Sequence, residues 1–373
     1  MQDLIIDKPY EFVPPMRGRF IPLLIARMLI PRMLRNNHGV VEGECHGGDK
    51  IREALAAGHG VLVTPNHPRP ADPLALLHLA EAIHSPLFIM ASWHLFMQSR
   101  FQRFMVRMMG AFSIYREGLD RAALQFSIGI LEKAQRPLVI FPEGSISRTN
   151  DLLNPLMEGT AAIARAAARK RASGDGGKVF IFPIAFRYQF LGDIEETLDP
   201  VLEEIERRLS WQPQRQLELL ERIRKVGRAL LGLKEIEYLG ETQPGDLFER
   251  VAKLIDHLLH PLEVEWLSGH QEGGVVARVK RLRTEILKEM VGGDIDETER
   301  DRRWRQLSAL YLAQQLSLYP RGYLDPDSPS ERFLETVERF EEDLKDEARP
   351  HPPLRVSLHV CDGIEVGSEK VRG

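Results

Sequence analysis

Between Gly60 and Tyr188 short apolar runs alternate with stretches of helical periodicity. The runs are GVLVTP (60–65), PLFIMA (86–91), AFSIYR (111–116), PLVIFP (137–142) and KVFIFPIAFRY (178–188). Periodicity predicts helices between them, over 73–83, 99–109, 120–135 and 155–171. Such alternation is what a largely parallel sheet with crossover helices requires. From Ile194 to Arg349 the texture changes to charged, leucine-rich amphipathic helices, among them IEETLDPVLEEIERRL, LFERVAKLIDHLLH, VVARVKRLRTEILKEM, ERDRRWRQLSALYLAQQL and SERFLETVERFEEDL. The period of two returns in LRVSLHV (354–360), where Val356, Leu358 and Val360 alternate with Arg355, Ser357 and His359. The expected fold is therefore α/β: a mostly parallel central sheet flanked by helices, a large mainly helical C-terminal insertion and a returning final strand. The expected boundaries are a basic amphipathic segment over 1–39, the α/β domain over 40–192, the insertion over 193–350, and the returning strand with its tail over 351–373. No low-complexity tract or fixed-period repeat is visible.

Composition narrows the class. The 373 residues suffice for one large domain with an accessory piece or for two domains, and 43% hydrophobic with 28% charged residues is ordinary for a globular chain. No apolar run reaches the roughly 18 residues that span a bilayer. Cys45 and Cys361 lie far apart without metal-ligand spacing, so neither a disulfide framework nor a structural metal site is expected. The first residues show no secretory pattern, and a reducing cytoplasm is the expected setting.

The net charge of −4 conceals two acid-free stretches. From Val13 to Val41 the chain carries Arg17, Arg19, Arg27, Arg32 and Arg35 among Phe20, Leu23, Leu24, Met28, Leu29 and Leu34, with Pro22 and Pro31 expected to break it into short pieces. Between Glu81 and Glu117, Arg100, Arg103 and Arg107 stand at helical spacing beside Phe101, Phe104 and Met105. Each reads as a core-facing helix with a basic edge or as a surface for an anionic membrane; two in one chain favour the membrane. The expected location is the cytoplasm, peripheral on the cytoplasmic membrane face.

Candidate chemistry gathers where strands end. After the first run come Asn66, His67, Pro68, Arg69, Pro70 and Asp72. A histidine can take a proton from a hydroxyl near neutral pH, and a carboxylate can fix its tautomer. Asp72 before Pro73 is equally a good helix start. After the fourth run come Glu143, Gly144, Ser147 and Arg148; Gly110 to Arg116 delivers a second arginine. Guanidinium forks suit a phosphate, so a histidine with two arginines at one sheet edge points to a phosphorylated acceptor whose hydroxyl must lose a proton. Each arginine alone could be a surface ion pair, and Glu143 a cap.

The order Asn-His-x4-Asp, Gly-x5-Arg, Phe-Pro-Glu-Gly-x-x-Ser-Arg and then Pro183 in a hydrophobic strand resembles the four blocks of the glycerophospholipid acyltransferase superfamily, over roughly 40–188. The resemblance implies His67 as general base and Asp72 as its orienting partner. It assigns Arg116, Glu143, Gly144, Ser147 and Arg148 to acceptor binding, with Pro183 shaping the site and Asn66 and Arg69 as further candidate site residues. Ser113, Ile146 and the Pro-Arg-Pro-Ala of the first block depart from the usual pattern, and Arg69 could replace the arginine absent at 146 or equally be a solvated loop charge. The implied reaction needs no metal or cofactor. It moves a fatty acyl group from acyl-CoA or acyl carrier protein to a phosphorylated glycerolipid, chiefly 1-acyl-sn-glycerol-3-phosphate, or to glycerol 3-phosphate. The expected partners are these substrates and an anionic membrane surface, with no nucleic acid. The rival readings are a noncatalytic lipid-binding scaffold and an acyl-thioester hydrolase; the absence of a GxSxG elbow weighs against a serine hydrolase. Met90, Met97, Met105, Met108 and Met109 could line an acyl chain or simply pack.

Overall fold

Val61, Leu62 and Val63 of β2 (Gly60–Pro65) are buried without a break, as in a central strand covered on both faces. In the computed structural model, which describes residues 8–16, 20–174, 177–293, 295–345 and 349–369, β2 pairs in parallel with β5 (Leu138–Val139) and β6 (Val179–Phe190). Parallel pairs also join β3 (Phe88–Ser92) to β5 and to β4 (Ala111–Ile114). The returning strand β7 (Leu354–Val360) lies antiparallel to β6 and parallel to β1 (Val40–His46). A short β8 (Ile364–Glu365) pairs with the start of β6, and the sheet order is β1-β7-β6-β2-β5-β3-β4. The carboxyl ends of β2, β4, β5 and β6 therefore open on one edge, where open α/β sheets place ligands.

The predicted runs and helices are all present, as α3 (Asp72–Ala82), α4 (Arg100–Met108), α5 (Arg121–Lys133) and α6 (Glu158–Ala172) between the strands. Leu62, Phe112, Leu131, Leu138, Ile163 and Val179 pack as the core between sheet and helices. Elements not anticipated include β1, α2 (Gly48–Ala56) after it and the short β8. In β1 one residue in two is polar, as befits an edge strand; at Gly43 an added Cβ would lie 2.1 Å from the His78 ring.

The basic N-terminal stretch departs from expectation. It forms one helix, α1 (Phe20–His38), with Pro31 inside it. Pro22 falls in the first turn, where a backbone N–H has no partner to lose, and Pro31 removes one interior hydrogen bond without ending the helix. Ile30 and Leu34 are buried, and Arg27 donates from Nε to Glu81 of α3 at 2.8 Å, which holds the helix where propensity alone would break it. Arg17 and Arg19 lie outside the described residues. Ahead of α1, the extended residues 10–13 run along edge strand β4. The Ser113 N–H donates to the Val13 carbonyl at 3.0 Å, and Ser113 Oγ accepts from the Val13 N–H at 2.8 Å, covering an edge that would otherwise present unpaired groups.

The chain divides into two compact units, one built from 10–191 and 350–373 and the other mainly from 192–349. The second contains α7 (Ile194–Arg208), α8 (Leu219–Leu239), α9 (Leu247–Leu267), α10 (Val275–Gly292), α11 (Glu297–Ser317) and α12 (Ser330–Lys345). Leu254, Leu259, Leu282, Ile286 and Leu310 sit in its core. Its helices share a recurring joint: a fully buried glutamate near the end of one helix receives both arms of an arginine at the start of the next. The pairs are Glu206 with Arg222, Glu235 with Arg250 and Glu263 with Arg278, all with bonds of 2.6–2.9 Å. Bidentate pairing with both charges satisfied makes the burial tolerable.

Candidate active site

The chain leaves β2 at Pro65 and must turn into α3. Asn66 makes the turn by continuing the strand pairing with its side chain: Oδ1 accepts from the Phe186 N–H at 2.6 Å and Nδ2 donates to the Phe186 carbonyl at 3.1 Å. His67 follows, its ring stacked on Phe141 at 4.1 Å between centroids and its side chain 15% exposed. Its Nδ1 lies 2.7 Å from Asp72 Oδ2, which also accepts the Arg69 N–H at 3.0 Å. Asp72 is fully buried. It does not serve as a helix cap: the N-cap is Ala71, without a side-chain bond, and both Asp72 oxygens are engaged elsewhere.

The loop after β5 meets this pair from the neighbouring strand. Glu143, 1% exposed, accepts the His67 N–H at 2.8 Å on Oε1 and the Asn154 N–H at 3.0 Å on Oε2. Burial pushes its carboxyl above the usual range, against the pull of the two backbone donors. Its geometry braces two loops. Gly144 turns the chain at φ 70°, and a Cβ there would lie 2.4 Å from Met157 Sδ, so no other residue fits without a shift. Ser147 is likewise buried; its N–H donates to the His67 carbonyl at 2.8 Å and its Oγ lies 3.1 Å from the Thr149 carbonyl. Arg148 is half-buried with a left-handed backbone, φ 56°. Arg116, just past β4, donates from Nη2 to the Gly144 carbonyl.

Arg69 is 7% exposed and lies 5.4 Å from the centre of the Tyr188 ring, so it is not the solvated loop charge that its position in a loop also allowed. Pro183 sits on β6 opposite Thr64, where the chain passes from β8 to β7 as partner; its carbonyl accepts from the Cys361 N–H at 2.9 Å. Thus His67, Asp72, Arg69, Glu143, Ser147 and Asn66 form one bonded cluster, Arg116 joins it through Gly144, and Pro183 stands one residue before its Asn66 contact at Ile184.

Three participants escaped the sequence reading. Tyr188 donates its hydroxyl to Asp72 Oδ1 at 2.5 Å. Asn150 clamps the backbone of Tyr188, accepting its N–H at 2.8 Å and donating to its carbonyl at 2.5 Å. His38, at the end of α1, lies within electrostatic reach of Asp72, Arg69 and Arg148, and burial lowers its imidazole below the ordinary value. The signal for Tyr188 was present: it falls on the buried phase of β6, and a buried tyrosine hydroxyl needs a partner.

Residues 44–187 match the acyltransferase family model. Over 127 residues the chain is 35% identical to a 1-acyl-sn-glycerol-3-phosphate acyltransferase of Streptococcus pneumoniae (strain ATCC BAA-255 / R6), an alignment covering 34% of this chain and 40% of that protein. Residues 44–187 are thus similar to an acyltransferase domain, which supports the resemblance to the glycerophospholipid acyltransferase superfamily. The matched part runs from β1 to β6 and includes every residue of the bonded cluster. Ser113, a departure from the pattern of the resemblance, has its account in the anchoring of residues 10–13, where Tyr10 also reaches Ser113 Oγ at 3.0 Å. Nothing in the structure explains isoleucine at 146.

Proposed function

We propose that the chain transfers a fatty acyl group from acyl-CoA or acyl carrier protein to a hydroxyl of a lysophospholipid, with 1-acyl-sn-glycerol-3-phosphate as acceptor and phosphatidic acid as product. The observation that carries this reading is the contact between His67 Nδ1 and the buried Asp72 carboxylate beside two arginine-bearing loops. An ionised carboxylate only accepts, so Nδ1 carries the proton and Nε2 is left as the base. Nε2 takes the acceptor hydroxyl proton as the oxygen attacks the thioester carbon. The resulting oxyanion collapses, the C–S bond breaks, and the leaving thiolate takes the proton back from His67. Arg148 and Arg116 are suited to the acceptor phosphate. The name of the streptococcal relative supports the choice of acceptor.

Such an acceptor resides in a membrane, and the proposal extends to an anionic membrane surface on the cytoplasmic side. Among the described residues no helix is long and apolar enough to cross a membrane. Outward on α1 stand Met28, Leu29, Arg32 and Arg35; Met97, Phe101 and Phe104 are exposed beside Arg100 and Arg103. Arg107 is drawn inward, donating to the Pro14 carbonyl at 2.8 Å.

Purified protein given labelled acyl-CoA or acyl carrier protein, with and without acceptor, tests the proposal. Label appearing in phosphatidic acid only when lysophosphatidic acid is present supports it. Acyl release without acceptor, no turnover with either donor, or acylation of glycerol 3-phosphate alone would replace it with the hydrolase, the scaffold or the glycerol-phosphate enzyme respectively.

A further inference from the structure

The Asp72 carboxylate is bonded at both oxygens, and the two ends do different things. Oδ2 faces His67 Nδ1 at 2.7 Å and the Arg69 N–H at 3.0 Å; Oδ1 accepts the Tyr188 hydroxyl at 2.5 Å. Tyr188 is itself 1% exposed, so packing leaves its ring no room to swing away, and the Asn150 amide pins its backbone N–H and carbonyl. We infer that Tyr188 is a positioning residue of the site, fixing the plane of Asp72 and setting how much of its charge reaches the His67 imidazole. The inference rests on the role of His67 as base given above.

Two physical effects follow from one bond. A carboxylate held at one oxygen can rotate about its Cβ–Cγ bond; held at both, it keeps Oδ2 in line with Nδ1, so the ring stays in the tautomer with Nε2 free. The phenol also disperses charge on the carboxylate, which weakens the hold of Asp72 on an imidazolium. Burial, and then the neighbouring Asp72 charge, push the Tyr188 phenol well above its ordinary value, so it stays a donor throughout the working range. The other charged and titratable groups around the pair are Glu143 on the loop after β5, Arg69 before α3, Arg148, and His38 at the end of α1. None of these changes when the hydroxyl is removed, so a shift on its removal belongs to Tyr188.

The test is Tyr188→Phe in the full chain, with fold checked by thermal unfolding. Ring-proton or ring-nitrogen resonances of His67, assigned by comparison with His67→Ala, are followed by NMR through a pH titration, a readout that needs no turnover. Without the phenol the pair should hold its proton to a pH higher by about 0.5–1, as expected for one lost hydrogen bond to a charged group. Fluorotyrosine incorporated at 188 is a stronger donor and should move the midpoint the other way, a check that stands even if Tyr188→Phe folds poorly. A midpoint that stays put in both proteins overturns the inference, whatever the rate does. In the acyl-transfer assay, kcat of Tyr188→Phe should fall about 10-fold with little change in KM. Failure of the unsubstituted chain to transfer acyl groups would sink the proposed function, whereas the titration midpoint would still decide whether Tyr188 tunes the pair.

Discussion

An imidazole offers its second nitrogen as a base only when the first is held in the protonated form, and in this chain that choice falls to Asp72. Beside the pair, Glu143 and Ser147 are buried and bonded to the loops around them. Glu143 and Ser147 brace. On the proposed function Arg148 and Arg116 take the acceptor phosphate, and replacing either by alanine should then raise the acceptor KM roughly 10-fold or more with the donor KM unchanged, because a lost charge-assisted contact acts on the group it held. Equal changes for both substrates would refute that division. Gly144→Ala should lower stability by about 1–3 kcal/mol, from a left-handed backbone and a collision with Met157; an unchanged melting temperature would contradict it. The contact between His67 and Asp72 was legible from a spacing that is local, and Arg116 and Arg148 were candidates from their places at strand ends and from the family resemblance. Tyr188 and Asn150 were not, because their partners lie 116 and 38 residues away and a sheet must form before they meet.

At the scale of elements, the period-two and helical patterns located the parallel strands and crossover helices, since each buries a continuous apolar face. They failed where burial is one-sided or tertiary contacts outweigh propensity. β1 has one residue in two polar, and α1 runs through Pro31 because Ile30, Leu34 and the Arg27–Glu81 pair secure it. With Arg27 paired, the charge left for a membrane on the described part of α1 is Arg32 and Arg35. Flotation with anionic vesicles should recover the protein and neutral vesicles much less, and Arg32→Glu with Arg35→Glu should release most of it, at about 1 kcal/mol per lost arginine before the repulsion of the new acids. Binding indifferent to lipid charge would rule out this electrostatic contact. In the helical unit, Glu235→Gln leaves the largely buried Arg250 guanidinium without its charge partner, and should cost about 3 kcal/mol. Arg250 holds the Glu235 carboxyl below its ordinary value. Its contribution is therefore complete above the ordinary carboxylate pKa and is lost as the pH falls through the lowered one. A Gln variant with the same acid-unfolding midpoint as the unsubstituted chain would contradict this assignment.

For the whole molecule, the acyltransferase match occupies the α/β unit and the six-helix unit lies outside it. The sequence showed that change of texture at once, and it showed the strand that returns to the first sheet, because LRVSLHV keeps the period of two after a long helical stretch. It did not show the buried Glu–Arg joints, since a glutamate or arginine on an amphipathic helix is ordinarily solvated. The proposed function rests on the chemistry of the first unit. The most direct measurement is the rate at which the full chain and its His67→Ala variant move a labelled acyl group from the thioester donor to lysophosphatidic acid, at matched melting temperatures. The predicted result is acceptor-dependent phosphatidic acid from the unsubstituted chain and a loss of roughly 100-fold to 10,000-fold in the variant. A folded variant that retains near-normal turnover would contradict it.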